Sequence, residues 1–136
     1  MQYIGKLDKN KLGKYKNIMI TNKVILTGER LHEHILMKHK DEYEQLKYYI
    51  KDIIENPDII IDDNRNKNTI ILLKRIKNIN KIGRIVIKIA IEQDKRHSKN
   101  SIITLMKLND RTWEQTIKNR GKIIINGKIK LPVWDK

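Results

Sequence analysis

Arg84-Ile85-Val86-Ile87-Lys88-Ile89-Ala90-Ile91 places isoleucine at every second position. A period of two sends the four isoleucines to one side of an extended chain and Arg84, Val86, Lys88 and Ala90 to the other. The stretch therefore reads as a strand with one core face and one face that carries cations. Working outward, Thr69–Ile76 and Ser101–Leu108 are further runs rich in β-branched residues, and Ile59–Ile61 is a shorter one. Linkers of Asn, Asp, Lys and Arg separate them. Beyond the last of these, Asn109 or Asp110 can cap a short helix to about Asn119. Residues 122–131 then read as a hairpin with Asn126-Gly127 in its turn.

Toward the N-terminus the period lengthens to that of a helix. Thr27 can cap a helix running to about Lys38, with Leu31, Ile35 and Leu36 on its apolar side. Asp41 followed by Glu44 is a capping-box pattern, and Tyr43, Leu46, Tyr49, Ile50, Ile53 and Ile54 follow at helical spacing until Asn56-Pro57 stops the helix. Ahead of these, residues 18–20 and 24–26 flank Thr21-Asn22-Lys23 as a short hairpin or two strand fragments. Residues 1–17, polar and lysine-rich with Gly5 and Gly13, read as a loose lead-in. The expected fold is one α+β domain over 1–136, with N-terminal helices packed on a mostly antiparallel sheet of four to five strands.

At 136 residues the chain has room for one real core, and 27 isoleucines disfavour disorder even though 34% of the residues are charged. Cysteine is absent, which excludes disulfide frameworks, thiolate zinc sites and cysteine nucleophiles. No apolar run approaches the ~18 residues of a membrane span, so a soluble, cytoplasmic protein is expected. The net charge of +14 is unevenly spread. Residues 1–28 carry six Lys and one Asp, residues 29–63 five basic and ten acidic side chains, and residues 64–136 nineteen basic and five acidic. An AT-rich genome would raise lysine everywhere, and does not explain an acidic middle beside a basic end. A polyanion partner does, and a nucleic-acid backbone fits better than a membrane, because the helices lie in the acidic block.

Metal chemistry finds little support. His32-Glu33 lacks the second histidine of a His-Glu-x-x-His motif, since position 36 is Leu36, and His34 and His39 lie about 500° apart around an ideal helix. A metal-dependent nuclease of the Pro-Asp…(Asp/Glu)-x-Lys type would use Pro57-Asp58. It also needs a carboxylate two residues before the strand lysine, where Val86 precedes Lys88 and Leu72 precedes Lys74. No metal or other cofactor is expected. The remaining chemistry is proton transfer by histidine, stabilisation of a phosphorane by Lys or Arg, and phosphate contact by hydroxyls. Its candidates are His34 and His39 by the helices, Arg75 and Lys88 on strands, and Lys99, Asn100, Ser101 and Thr104 around the start of a late strand.

The order of the motifs Thr27-Gly-Glu-Arg30, His34-Ile-Leu-Met-Lys-His39, Ile54-Glu-Asn-Pro57-Asp58, Asn68-Thr-Ile-Ile-Leu-Leu-Lys74, Ile85-Val-Ile-Lys88 and Lys99-Asn-Ser-Ile-Ile-Thr104 resembles the phage-associated branch of the barnase–EndoU–colicin–RelE-like nucleases. The match covers about residues 24–125. The resemblance implies N-terminal helices on a four-stranded antiparallel sheet. It also implies metal-independent RNA cleavage to a 2′,3′-cyclic phosphate, often on tRNA or other translation-linked RNA. By it His34 and His39 are the acid/base candidates, Lys88 the transition-state cation, and Ser101 and Thr104 the contacts to the scissile phosphate. Strict alternation puts these two hydroxyls on opposite faces unless a bulge intervenes. Lys38 stands where the family often has arginine, and pairs with phosphate without the bidentate fork.

The expected RNA-binding side chains are Lys38, Lys74, Arg75, Arg84, Lys99 and Asn100. A toxin-like or prophage-borne enzyme of this kind would have an antitoxin or immunity protein as partner. The rival reading is a nucleic-acid-binding or toxin–antitoxin module without catalysis. A stacking platform finds thin support, with no phenylalanine and with Trp113 and Trp134 as the large rings away from the helices.

Overall fold

The computed structural model describes residues 2–95, 98–109, 115, 118–119 and 121–125. Seven strands form one mixed sheet: β1 (Gln2–Lys6), β2 (Lys23–Leu26), β3 (Ile59–Asp63), β4 (Thr69–Ile76), β5 (Lys81–Lys88), β6 (Asn100–Leu108) and β7 (Gly121–Ile125), in the order β1-β2-β6-β5-β4-β3-β7. Only the β2–β6 pairing is parallel. The α+β class holds, while the expected count of four to five strands is too low. The lead-in is not loose: it supplies edge strand β1, and Leu7, Leu12 and Tyr15 behind it are buried. Residues 18–20 and 24–26 do not form the hairpin, and of the two strand fragments offered as its alternative 24–26 belongs to β2. Ile20 N–H instead donates to the Ala90 carbonyl at 2.9 Å, and Met19 bridges Ile91. Of the helix expected from residue 109 or 110 to 119, Gln115, Lys118 and Asn119 are described and helical, while most of its other residues and the return arm of the last hairpin lie outside the described residues.

The helical region begins where Thr27 Oγ1 accepts the Arg30 N–H at 3.1 Å, so the N-cap forms as its sequence predicts. Helix α1 (Gly28–Arg30), a π turn over Leu31–Ile35 and α2 (Leu36–Lys38) follow without a break. Helix α3 (Lys40–Leu46) starts one residue before the predicted box, with His39 at its N-cap, and α4 (Ile50–Glu55) ends at Asn56. Asn68 and Asn80 turn the chain into β4 and β5 with φ of 54° and 51°, a left-handed region that asparagine tolerates better than most residues. That explains part of the asparagine content of the linkers.

The helices cover one face of the sheet, here the front. Ile35, Leu46, Ile50, Ile53 and Ile54 bury themselves against Ile60, Ile70, Leu72, Ile85, Ile87, Ile102 and Leu105. Each fully buried isoleucine or leucine contributes on the order of 1.5–3 kcal/mol over its exposed state, so this packing sets the fold. Gly83 lets α4 come close, since a Cβ there would meet Ile53 Cδ1 at 2.5 Å. The back face is not the free surface expected from one-sided packing: Ile59, Ile61, Ile71, Leu73, Ile82, Val86 and Leu108 form a second buried cluster on it.

Two polar contacts, one buried and one partly buried, tie the edges in. Asn100, fully buried, accepts the Ala90 N–H at 2.8 Å and donates to the carbonyls of Thr21 and Lys23 at 2.7 and 2.9 Å. Tyr15 donates to Asp62 Oδ1 at 2.6 Å, and Lys14 pairs with the other oxygen at 2.9 Å. Burial, then the Asp62 hydrogen bond and the nearby carboxylate charge, push the Tyr15 pKa up.

Asn100→Ala should destabilise the protein by about 2–4 kcal/mol in urea unfolding, because it strands one donor and two acceptors. Asn100→Asp, equal in volume but lacking both amide donors, should not restore it. The raised Tyr15 pKa has a defined sign as well. The unfolded phenol ionises near about pH 10 while the folded one stays neutral, so its stabilisation is full below that pH and falls as pH rises above it. Tyr15→Phe should show a smaller alkaline loss than wild type in paired unfolding curves.

Candidate nucleic-acid face

Strand pairing lines up a row of residues across the back face. Tyr3 lies opposite Ile25, Ile25 beside Ser101, Ser101 opposite Lys88, and Lys88 opposite Thr69. At about 4.8 Å between neighbouring strands, Tyr3 and Lys88 stand about 14 Å apart. The β5–β6 register shifts between Val86 and Ile87: Val86 pairs with Thr104 and Ile87 with Ile102, leaving Ile103 as the extra residue. This bulge resets the alternation. Ser101 and Thr104, which strict alternation separates, thus share the face of Lys88.

Two hollows open along the row. One, of about 550 Å³, is lined by Tyr3, Lys6, Lys23, Ile25 and Lys99. The other, of about 360 Å³, is lined by Arg65, Asn66, Lys67, Thr69, Val86, Lys88 and Ile103. Six cations line the two together, and among the described residues lining them there is no carboxylate. Lys88 Nζ donates to the Lys67 carbonyl at 3.0 Å, which fixes the ammonium and leaves it two further donors. Thr69 Oγ1 donates to the same carbonyl at 3.1 Å, and Ser101 Oγ donates to the Lys99 carbonyl at 3.3 Å. Such a surface holds phosphate oxygens through ammonium groups and rotatable hydroxyls.

The other expected site residues are placed elsewhere or are already engaged. His34 and His39 belong to helices that pack on the front, so they do not share a face with Lys88, Ser101 and Thr104. His34 sits with Glu29 and Glu33, their ligand atoms within 4.8 Å of one another, in a field that repels phosphate. His39 Nδ1 is 2.9 Å from Glu42 Oε2, a contact that takes up one ring nitrogen and leaves the other. Lys38 is exposed on the same acidic side. Lys74 donates to the Asn56 carbonyl at 2.7 Å, where it supports the end of α4. Arg75 donates to Asn80 Oδ1 at 2.8 Å, and Arg84 Nη1 approaches Met106 Sδ at 3.0 Å. Asn100 was expected to meet RNA, but its buried amide is used up by three backbone partners.

Sequence reasoning missed Tyr3, Lys6, Lys23, Arg65, Lys67 and Thr69. For Tyr3, Lys6 and Lys23 the signal available was the basic N-terminal block, and for Arg65 and Lys67 the basic C-terminal one, in a stretch that reads as a linker.

Searches of curated proteins and of solved structures find no match to the chain. No helix among the described residues is long and apolar enough to cross a membrane. A family profile does match: the phage-Barnase-EndoU-ColicinE5/D-RelE like nuclease 2 family matches residues 2–126, and the chain belongs to that family.

Proposed function

We propose that the chain is a metal-independent endoribonuclease, toxin-like or prophage-borne, that cuts tRNA or another translation-linked RNA. In this reading the 2′-oxygen attacks the adjacent phosphorus, the bond to the 5′-oxygen breaks, and a 2′,3′-cyclic phosphate remains. The 2′-OH loses its proton and the departing 5′-oxygen gains one, so no external reactant is consumed. The single observation that carries the reading is the β6 bulge, which gathers Lys88, Ser101 and Thr104 on one cationic face in a member of a nuclease family.

Lys88 is the group for the developing phosphorane charge, because its ammonium is already anchored by the Lys67 carbonyl and needs little reorganisation. Ser101, directly opposite Lys88, is the nearer hydroxyl for a phosphate oxygen; Thr104, two pairs further along opposite Val86, is the second. Lys67, Arg65 and Lys99 extend the phosphate track on either side. The helix histidines have no contact role here, since their helices pack on the opposite face and acidic side chains surround them.

Cleavage of total RNA should persist in EDTA. Lys88→Ala should lower the rate by about 100-fold or more, in line with loss of one preorganised charge contact, while the protein stays folded. The double variant His34→Ala/His39→Ala should cut within about threefold of wild type, well inside the range expected for a spared proton-transfer group. Undiminished cleavage by both Lys88→Ala and Ser101→Ala would sink the assignment, and loss confined to the histidine variant would move the centre to the helix side.

A further inference from the structure

The hollow at the β1–β2 edge has a composition that phosphate binding alone does not explain. Its wall holds an aromatic ring, Tyr3, that is 50% exposed on an edge strand. Its floor is Ile25, which pairs with Tyr3 across the strands and is buried. Lys6 and Lys23 face each other two pairs along the same two strands, beyond Gly5 and Val24, and Lys99 closes the side nearest Ser101. The one acidic group tied to this edge, Glu55, accepts the Lys6 backbone N–H at 3.1 Å from helix α4 on the front side, and does not line the hollow. A flat ring on an apolar floor, inside a ring of ammonium groups, is the combination that takes a nucleobase by stacking and its phosphates by charge.

We infer that this hollow is a nucleotide subsite that stacks an unpaired base on Tyr3, with Lys6, Lys23 and Lys99 on the flanking phosphates, so the substrate class is single-stranded or looped RNA. Duplex RNA is excluded because its bases are already stacked and its grooves expose edges rather than π-faces. The subsite rests on the proposed function for its link to cleavage. It stands about 14 Å from Lys88 along the transverse row, a span of a few nucleotides, with Ser101 between them. A base seated on Tyr3 would therefore set which phosphate reaches Lys88, and cleavage would fall at a fixed offset from the seated base.

The test is fluorescence anisotropy of the full chain with a labelled, 2′-O-methylated oligoribonucleotide, which lacks the nucleophile and cannot be cut, offered as a single strand and as a duplex. The single strand should bind at least about tenfold more tightly than the duplex. Tyr3→Ala should weaken single-strand binding by about tenfold, and Tyr3→Phe should stay within about twofold of wild type. Lys6→Ala/Lys23→Ala, which alters only exposed side chains and so keeps the test open if Tyr3→Ala misfolds, should flatten the log–log salt dependence by about 1.4.

Wild-type affinity in folded Tyr3→Ala, an unchanged salt slope in the lysine variant, or duplex binding equal to single-strand binding would overturn the subsite. Failure here is distinguishable from failure of the nuclease reading. If Lys88→Ala abolishes cleavage while Tyr3→Ala binds like wild type, the subsite falls alone. If wild type cuts no RNA yet loses single-strand affinity on Tyr3→Ala, the subsite stands alone.

Discussion

The Asn100 side chain joins three stretches of chain that sequence separation keeps far apart: the segment before β2, the segment after β5, and β6 itself. The parallel β2–β6 contact it supports spans only two residue pairs, Val24 with Asn100 and Ile25 with Ser101. Two pairs of a parallel ladder are weak on their own. The buried amide supplies the missing attachment, and its burial makes the geometry strict, because each of its partners would be left unsatisfied if the amide moved. Through that contact the β1–β2 hairpin is held against the antiparallel strands. The row from Tyr3 to Thr69 exists only while it holds.

The same attachment explains why charge that is divided along the chain is reunited in space. Lys6 and Lys23 come from the N-terminal basic block, and Lys88 and Lys99 from the C-terminal one. Most of the acidic block between them folds into helices that pack on the front face, while Asp62 and Asp63 lie on β3. The sheet thus keeps the carboxylates of α1 to α4 off the back face and away from a phosphate held there. A linear reading of charge assigns the basic role to the C-terminal half alone; the folded chain shares it with the first two strands.

What was legible in the sequence was periodic and local. The isoleucines of β5, the span of β4, the Thr27 cap and the stop at Asn56-Pro57 each depend on neighbours within a few residues, and each appears close to where its pattern put it. Strand β1 was not legible because Gln2–Lys6 has no alternation of its own and takes its conformation from β2. The bulge was hidden for a related reason. Ser101-Ile102-Ile103-Thr104 reads as ordinary alternation with two isoleucines in the middle, and only the partner strand shows which of the two is extra. Motif order brought out the histidines, but order along a chain carries no information about which face of a sheet a helix will cover.

The second apolar cluster bears on what Lys88 can do. Val86 and Ile103, which line its hollow, belong to or pack against the buried group around Ile71 and Leu73. A lysine surrounded by water on all sides interacts weakly with a phosphate, since solvent screens most of the Coulomb energy. Lys88 is exposed at the margin of an apolar layer, and its ammonium donates to the Lys67 carbonyl. The rigid isoleucine floor therefore does more than complete the core. In the proposed function its part is to fix the strand that carries Lys88, so that the ammonium needs little reorganisation to meet the charge that builds up at phosphorus.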